Sequence, residues 1–147
     1  MNGVWLFLHL IGVIIWVGGM FFAAHCLRPS LGLLPGEHRA ALMAAALGRF
    51  FGYALGAIVL IWLSGLMMLA PVGMKAAPTG WHIMISAAVL MTLLFALIRL
   101  WFFPRLQRAL AAGQLPTAGG ALNGIRWLVM VNLALGLIAV AAVSILR

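Results

Sequence analysis

The amino-acid sequence predicts an all-α integral membrane protein, a four-helix bundle of up-down-up-down order that lies almost wholly within the lipid bilayer. Apolar residues make up 67% of the 147 residues and charged residues only 7%, whereas soluble domains carry about 25% charged residues. Four apolar runs reach the ~20 residues that a helix needs to cross the ~30 Å hydrocarbon core. Prolines and glycines separate these runs. We therefore expect a single membrane domain, residues 1–147.

The four apolar runs define the predicted membrane-spanning helices. In chain order they cover residues 4–24, 50–69, 81–103 and 125–146. Unpaired backbone N–H and C=O groups are too costly in hydrocarbon, so each run must form a helix that satisfies them internally. Because the connections are short, neighbouring helices are predicted to be antiparallel.

The connections contain the residues that interrupt helices. Pro29 and Pro35 follow the first run, and residues 37–47 predict a short helix at the membrane surface. Thr79 precedes the third run and is the predicted N-cap of that helix. Pro104 follows the third run and is predicted to end it, because proline interrupts a regular helix.

Basic side chains predict the orientation of the bundle. There are nine Lys and Arg residues and one acid. Six of the basic residues border the first and third connections: Arg28, Arg39, Arg49, Arg105, Arg108 and Arg126. Since positive residues favour the cytoplasmic side, both termini are predicted to face outward (N-out and C-out) in a multi-pass protein of the bacterial inner membrane. Contacts with lipid headgroups explain the positive charge, so no nucleic-acid partner is expected.

A stripe of small residues lies on the second predicted helix. Gly48, Gly52 and Gly56 follow each other at a spacing of four residues. Such a stripe lets another helix approach closely. It predicts either packing inside the bundle or a homodimer formed through this face.

The scarcity of acidic residues excludes several kinds of catalytic site. The one acid, Glu37, lies in a connection. Paired-carboxylate catalysis and a Ser-His-acid triad both need an acid that the spans lack. The side chains that remain for chemistry are chiefly His, Met and Cys.

Two histidines are the main candidate site residues. His9 lies five residues into the first run, ~7 Å below its start at 1.5 Å per residue, and an ionisable group at that depth indicates function. His82 lies at the start of the third run, which runs in the same direction. Two imidazoles suit a copper ion or a haem iron. Alternatively, His9 hydrogen-bonds a neighbouring helix and His82 lies among the headgroups.

Methionines cluster at the same end of the predicted bundle. They are Met67, Met68, Met74 and Met84. Thioethers are soft ligands that favour Cu(I), although Met is also common packing material. We expect His9, His82, Met84, Met67 and Met68 to form a metal site, or each Met to serve packing alone.

Further residues fit a haem pocket. Gly12 and Trp16 continue the helix face of His9, and the missing side chain of Gly12 leaves room either for a flat macrocycle or for a packed helix. Lys75 and Arg99 are candidate partners for an anion such as a haem propionate. Arg99 is alternatively predicted to extend to the headgroups or to bond Asn132.

Several stretches resemble a known family. Residues 8–22 and 27–29 resemble the first helix of copper-resistance D (CopD-like) membrane proteins. Residues 81–82, 103–108 and 131–136 resemble other parts of the same domain. This resemblance implies a four-helix membrane domain that takes part in copper uptake or copper tolerance.

The first run also resembles the corresponding helix of HemJ-type proteins, which are four-helix haem-b membrane proteins. Those proteins open their third helix with Trp-x-His-x-Lys. Here the run is Trp81-His82-Ile83-Met84, with Met84 where Lys would fall. The resemblance therefore implies haem b rather than oxidase activity.

Three functional hypotheses follow. The first is a copper-handling protein that captures Cu(I) near His9 and passes it inward past Met20, Met91 and the His25-Cys26 pair. The second is a b-type haem redox protein, and only this hypothesis implies an enzyme, a haem-dependent membrane oxidoreductase. The third is an accessory membrane subunit without a cofactor.

Overall fold

The computed structural model describes residues 3–146, which form four long helices joined by short links. Helix α1 spans Gly3–Leu33, α2 Gly36–Leu69, α3 Thr79–Ala111 and α4 Leu115–Ile145. Each is long and apolar enough to cross a membrane. At 1.5 Å per residue they measure ~46–51 Å, longer than the ~30 Å hydrocarbon core. The expectation of an all-α protein with four spans is confirmed.

The helix boundaries differ from the predicted ones at the end of the bundle that holds the first and third connections. We call it the arginine-rich end, after Arg28, Arg39, Arg49, Arg105, Arg108 and Arg126. Helix α1 continues beyond residue 24 to Leu33, and α3 continues beyond residue 103 to Ala111. Residues 37–47 are the first turns of α2 rather than a separate surface helix, and α4 begins ten residues early, at Leu115. The expected surface helix is thus wrong, and the helices extend beyond the predicted spans at this end.

Widened π-helical turns carry α1 and α3 past their prolines. In α1 the turn Ala23–Leu27 is closed by the N–H of Arg28, which donates to the carbonyl of Ala23. In α3 the turn Ile98–Phe102 is closed in the same way by Phe103 and Ile98. Proline lacks an N–H, and its ring clashes with the carbonyl four residues earlier in a regular helix. A wider turn immediately before the proline moves that carbonyl away, so the helix continues.

Helix α3 begins without the predicted cap. Pro78 occupies the N-cap position, Thr79 is the first helical residue, and within residues 3–146 no side chain caps this end. Instead, the N–H of Gly80 donates to the carbonyl of Leu146 at 3.2 Å. The start of α3 is therefore bound to the end of α4.

The helices pack as two antiparallel hairpins. Helix α1 packs chiefly against α2, and α3 chiefly against α4. In the first hairpin, residue numbers that rise along α1 meet numbers that fall along α2, as in the pairs Gly12 with Ala57 and Gly19 with Phe50. In the second hairpin the end of α3 meets the start of α4, where Phe102 packs on Gly124.

Aromatic side chains join the two hairpins. Phe51 of α2 makes edge-to-face contacts with Phe95 and Phe103 of α3, at ring-centre distances of 5.9 and 5.1 Å. The indole N–H of Trp62 donates to the hydroxyl of Thr92 at 3.0 Å. The phenylalanine contacts fill the arginine-rich half of the interface and leave space at the opposite end.

The glycine stripe of α2 is only partly used inside the bundle. A Cβ atom at Gly48 would lie 3.3 Å from the ring of Phe103. Beside Gly52 and Gly56, no atom of residues 3–146 comes within 4 Å of such a Cβ. Packing inside the bundle therefore explains the glycine at position 48 but not those at 52 and 56. A homodimer formed through this stripe stays a prediction.

Candidate functional site

A cavity of about 510 Å³ opens between the hairpins at the end where α1 and α3 begin. All four helices contribute to its lining, which is almost entirely apolar. His9 is the one imidazole among the described residues that line it. The chemistry of the cavity therefore depends on this residue and on the soft side chains around it.

His9 is held in one orientation by helix α2. The side chain is 8% exposed, and its Nδ1 lies 3.1 Å from both the carbonyl oxygen of Ile61 and the Oγ of Ser64. A carbonyl oxygen only accepts, so Nδ1 must carry the hydrogen. The Ser64 hydroxyl donates to the carbonyl of Leu60 at 2.5 Å, which leaves its oxygen free to accept from Nδ1.

This arrangement leaves Nε2 of His9 as the basic nitrogen of the neutral ring. Within residues 3–146, Nε2 makes no hydrogen bond. Metal-binding histidines commonly donate the other ring N–H to a carbonyl or carboxylate, which fixes the tautomer and turns the lone pair toward the metal. His9 has this pattern.

Two glycines determine how closely α1 and α2 approach around His9. A Cβ atom at Gly65 would lie 3.3 Å from Cε1 of His9, so the bare glycine accommodates the ring. A Cβ at Gly12 would lie 2.6 Å from Cγ1 of Ile61 and 2.9 Å from the carbonyl oxygen of Ala57. The space beside Gly12 is filled by α2, so the bare glycine lets the two helices pack closely, and its part in a haem pocket stays a prediction.

Four thioethers line the same cavity as His9. They belong to Met68, Met74, Met84 and Met91. Met67 instead is 45% exposed and is absent from the lining formed by the described residues. Three of the methionines expected at this end therefore border the cavity, together with Met91, which was expected farther along the path.

His82 lies outside this arrangement. It is exposed, and within the described chain it does not border the cavity, whereas Met84 does. Two residues along a helix differ by ~200° in direction, so these two side chains leave α3 on nearly opposite sides. A metal site shared by His9 and His82 gains no support from this geometry and stays a prediction.

Of the residues expected in a haem pocket, Trp16 joins His9 at the cavity, and so does Trp81. Trp16 is 3% exposed and packs edge-to-face on Phe95. Lys75 is exposed and, among the described residues, not part of the lining. Arg99 lies at the far end of α3, where its guanidinium is 5.3 Å from the ring centre of Phe103.

Other candidates lie elsewhere in the bundle. The amide of Asn132 donates to the carbonyl of Met91 at 3.2 Å. His25 and Cys26 are exposed in the π-helical turn of α1, and the His25 ring contacts Phe21. Among the described residues, no three His, Cys, Asp or Glu side chains are close enough together to hold a metal ion. The soft side chains beside His9 at the cavity are thioethers.

Sequence reasoning missed the residues that hold His9 in place. Ser64 is fully buried, and Gly65 follows it on α2. The available signal was a hydroxyl within an otherwise apolar run, because a polar group buried in a membrane needs a partner. The sequence did not indicate that the partner is His9.

The fold and the cavity together define a class: multi-pass helical membrane proteins with a buried site of one imidazole and several thioethers. Residues 44–146 match the family described as copper resistance protein D. The match covers more than two thirds of the chain, which therefore belongs to this copper-resistance family. No curated protein and no solved structure matches the chain. The matched range begins within α2, so α1 and His9 precede it.

Proposed function

We propose that the protein handles copper by binding Cu(I) as its cargo in the cavity between the hairpins, with Nε2 of His9 as the nitrogen ligand. Membership of the copper resistance protein D family supports the choice of metal. The observation that carries the proposal is the buried imidazole of His9, fixed through Nδ1 by α2, at a cavity lined by four thioethers.

The chemistry of the lining favours Cu(I) over harder ions. Thioethers and imidazole are neutral, and soft sulfur ligands select Cu(I). Transferring an ion into an apolar region costs more as its charge increases. A monovalent soft ion with neutral ligands therefore suits this cavity better than Zn²⁺ or Mg²⁺, whose double charge is costlier to transfer and which do not favour thioether ligands.

We further propose that the cavity opens on the outer side of a bacterial inner membrane. Six arginines border the two links at the other end of the bundle, and positive residues favour the cytoplasm. Copper would then enter from outside and move inward past Met20, which is 2% exposed in the core. The His25-Cys26 pair would receive it at the cytoplasmic end.

Copper content tests the proposal directly. Protein purified under reducing conditions should bind Cu(I), and His9→Ala should lose most of it because no other described imidazole lines the cavity. His38→Ala is the matched control, since His38 is exposed and lies beside Glu37 at the start of α2. Equal copper content in the wild type and in His9→Ala would contradict the proposal. A separate variant, His82→Ala, tests the prediction that His9 and His82 share one metal site.

Haem b is the second proposal, favoured by the free Nε2 of His9 and by Trp16 and Trp81 in the lining. However, no basic side chain among the described residues lines the cavity to receive the propionates. Protein produced with ample haem should then show a Soret band that His9→Ala removes. A colourless protein that also binds no copper would instead favour the accessory subunit.

A further inference from the structure

The two hairpins carry matching features 75 residues apart. The π-helical turn of α1 begins at residue 23 and that of α3 at residue 98. Pro29 and Pro104, which follow these turns, have the same separation. The turns are a backbone feature, and apart from the prolines the residue types at matched positions mostly differ. The repeat is therefore visible in the backbone and weak in the sequence.

The cavity lining follows the same separation. Five positions of α1 line it and have counterparts in α3 that line it too: Leu6 and Trp81, His9 and Met84, Leu10 and Ile85, Val13 and Ala88, Trp16 and Met91. Helices α2 and α4 contribute four such pairs: Ile61 and Gly136, Gly65 and Val140, Met68 and Val143, Leu69 and Ser144. The two hairpins thus present equivalent faces to one cavity.

Within this repeat, Met84 is the counterpart of His9. His9 is six residues from the start of α1 and Met84 five residues from the start of α3. At 1.5 Å per residue, both lie ~8–9 Å along their helices. Because α1 and α3 both begin at the cavity end, the two side chains reach the cavity at the same level, one from each hairpin.

The other thioethers occupy different places. Met91 is the counterpart of Trp16 and lies about two turns deeper than Met84. Met68 lies on α2, the helix that accepts the hydrogen bonds of the His9 ring, one residue before the end of α2. Met74 lies in the link between α2 and α3. Met84 is the cavity-lining thioether that comes from the opposite hairpin at the depth of His9 along its helix.

We infer that Cu(I) is bound between His9 and Met84, the equivalent residues of an internal repeat, so that the ion bridges the two hairpins. This inference rests on the proposed copper function. The imidazole is the fixed ligand, since α2 holds its Nδ1. The flexible, unbranched side chain of Met84 is the adaptable one.

An ion bound within one hairpin would still be bound after the two hairpins separate, whereas a bridging ion would be lost, so only the bridging ion stabilises their association. Near the cavity, the directional contacts that join the hairpins within residues 3–146 include the hydrogen bond from Trp62 to Thr92. A ligand that binds only the folded chain raises its stability. An ion held from both sides should therefore raise the melting temperature of the protein, and Met84→Leu should remove most of this shift.

Competition with a chromogenic Cu(I) chelator tests the inference on the full chain in detergent. Met84→Leu, which nearly preserves volume, should weaken Cu(I) binding at least tenfold. Met68→Leu and Met91→Leu should weaken it less, and Met130→Leu, outside the described lining, should not change it. X-ray absorption of the copper-loaded protein should lose a sulfur neighbour in Met84→Leu, and Met84→His should restore binding through a second nitrogen.

The outcomes separate this inference from the proposed function. If the wild type binds copper, His9→Ala loses it and Met84→Leu retains wild-type affinity, the bridge is overturned while the copper function stands. A larger loss in Met68→Leu or Met91→Leu than in Met84→Leu also overturns it. A wild-type protein that binds no Cu(I) contradicts the copper function itself.

Discussion

His9 shows how a membrane helix can keep an imidazole buried and still reactive. The N–H at Nδ1 of the ring donates to the Ile61 carbonyl and the Ser64 hydroxyl, both on α2. Gly65 supplies the space that the ring needs. An unsatisfied polar group would be costly at this depth, so α2 provides the partners and leaves Nε2 available to a ligand.

Replacing the hydroxyl should loosen this orientation. Ser64→Ala removes one of the two acceptors of the Nδ1 hydrogen, and the Ile61 carbonyl remains. Loss of such a supporting hydrogen bond costs about 10–100-fold in metal affinity, and we expect a loss of about tenfold. The measurement is Cu(I) affinity by chelator competition. Ser86→Ala is the control, because Ser86 is exposed and its hydroxyl donates to the His82 carbonyl of its own helix. A Ser64→Ala protein with wild-type Cu(I) affinity would refute the role of Ser64 in orienting His9.

Among the helices, glycine contacts decide how tightly each hairpin closes. In the first hairpin, Gly12 lets α2 approach α1. In the second, Gly80 meets the carbonyl oxygens of Ala142 and Leu146 at the end of α4. Helices in lipid associate chiefly through close packing and hydrogen bonds, since lipid is as apolar as their side chains. Small residues at these contacts therefore contribute directly to stability.

Adding one methyl group at such a contact should destabilise the protein. In Gly80→Ala the new Cβ would lie 2.5 Å from the Ala142 carbonyl oxygen, a backbone atom that cannot move alone. Overpacking costs about 1–3 kcal/mol, so the melting temperature in detergent should fall. Gly18→Ala is the control, because its Cβ meets no described atom within 4 Å, and Ala is favoured over Gly in a helix by about 0.5–1 kcal/mol. Equal melting temperatures for both variants would contradict the close approach of α3 and α4.

For the molecule as a whole, helix length and charge distribution determine how it lies in the bilayer. Each helix exceeds the hydrocarbon thickness, and the basic side chains are concentrated at the arginine-rich end. There the side chain of Arg105 packs on Trp101 and that of Arg126 on Trp127, at 5.2 and 5.7 Å from the ring centres. Aromatic and basic residues together are typical of a membrane interface. This end is thus suited to contact with anionic lipid headgroups.

The orientation can be measured through the single cysteine. Cys26 is exposed and lies ~35 Å along α1 from Gly3, beyond the ~30 Å core. A membrane-impermeant maleimide added to intact cells should leave Cys26 unlabelled and should label it in inverted membrane vesicles. Lys75→Cys in a Cys26→Ala background should show the reverse. Labelling of Cys26 from outside would place the cavity on the cytoplasmic side.

The physics of the bilayer explains which features of the fold could be predicted from the sequence. The hydrocarbon thickness sets a minimum length for each apolar run, so the four spans are readable before any packing is known. The helix ends are not, because the effect of Pro29 and Pro104 depends on the preceding turn. A π-helical turn moves the clashing carbonyl away, and nothing in the residue order indicates it. The same turns reveal the internal repeat, whose matched positions mostly carry different residue types.

For the candidate site, residue order determined depth and residue type but not direction. His9 and Met84 were found because a polar or soft side chain at a given depth is visible in an apolar run. Each residue along a helix turns the side chain by ~100°, so neighbours at one depth face different surroundings. Helix packing directs Met84 and Met68 into the cavity and places His82 and Met67 outside it. Ser64 and Gly65 became part of the site only because α2 lies against α1 at this level.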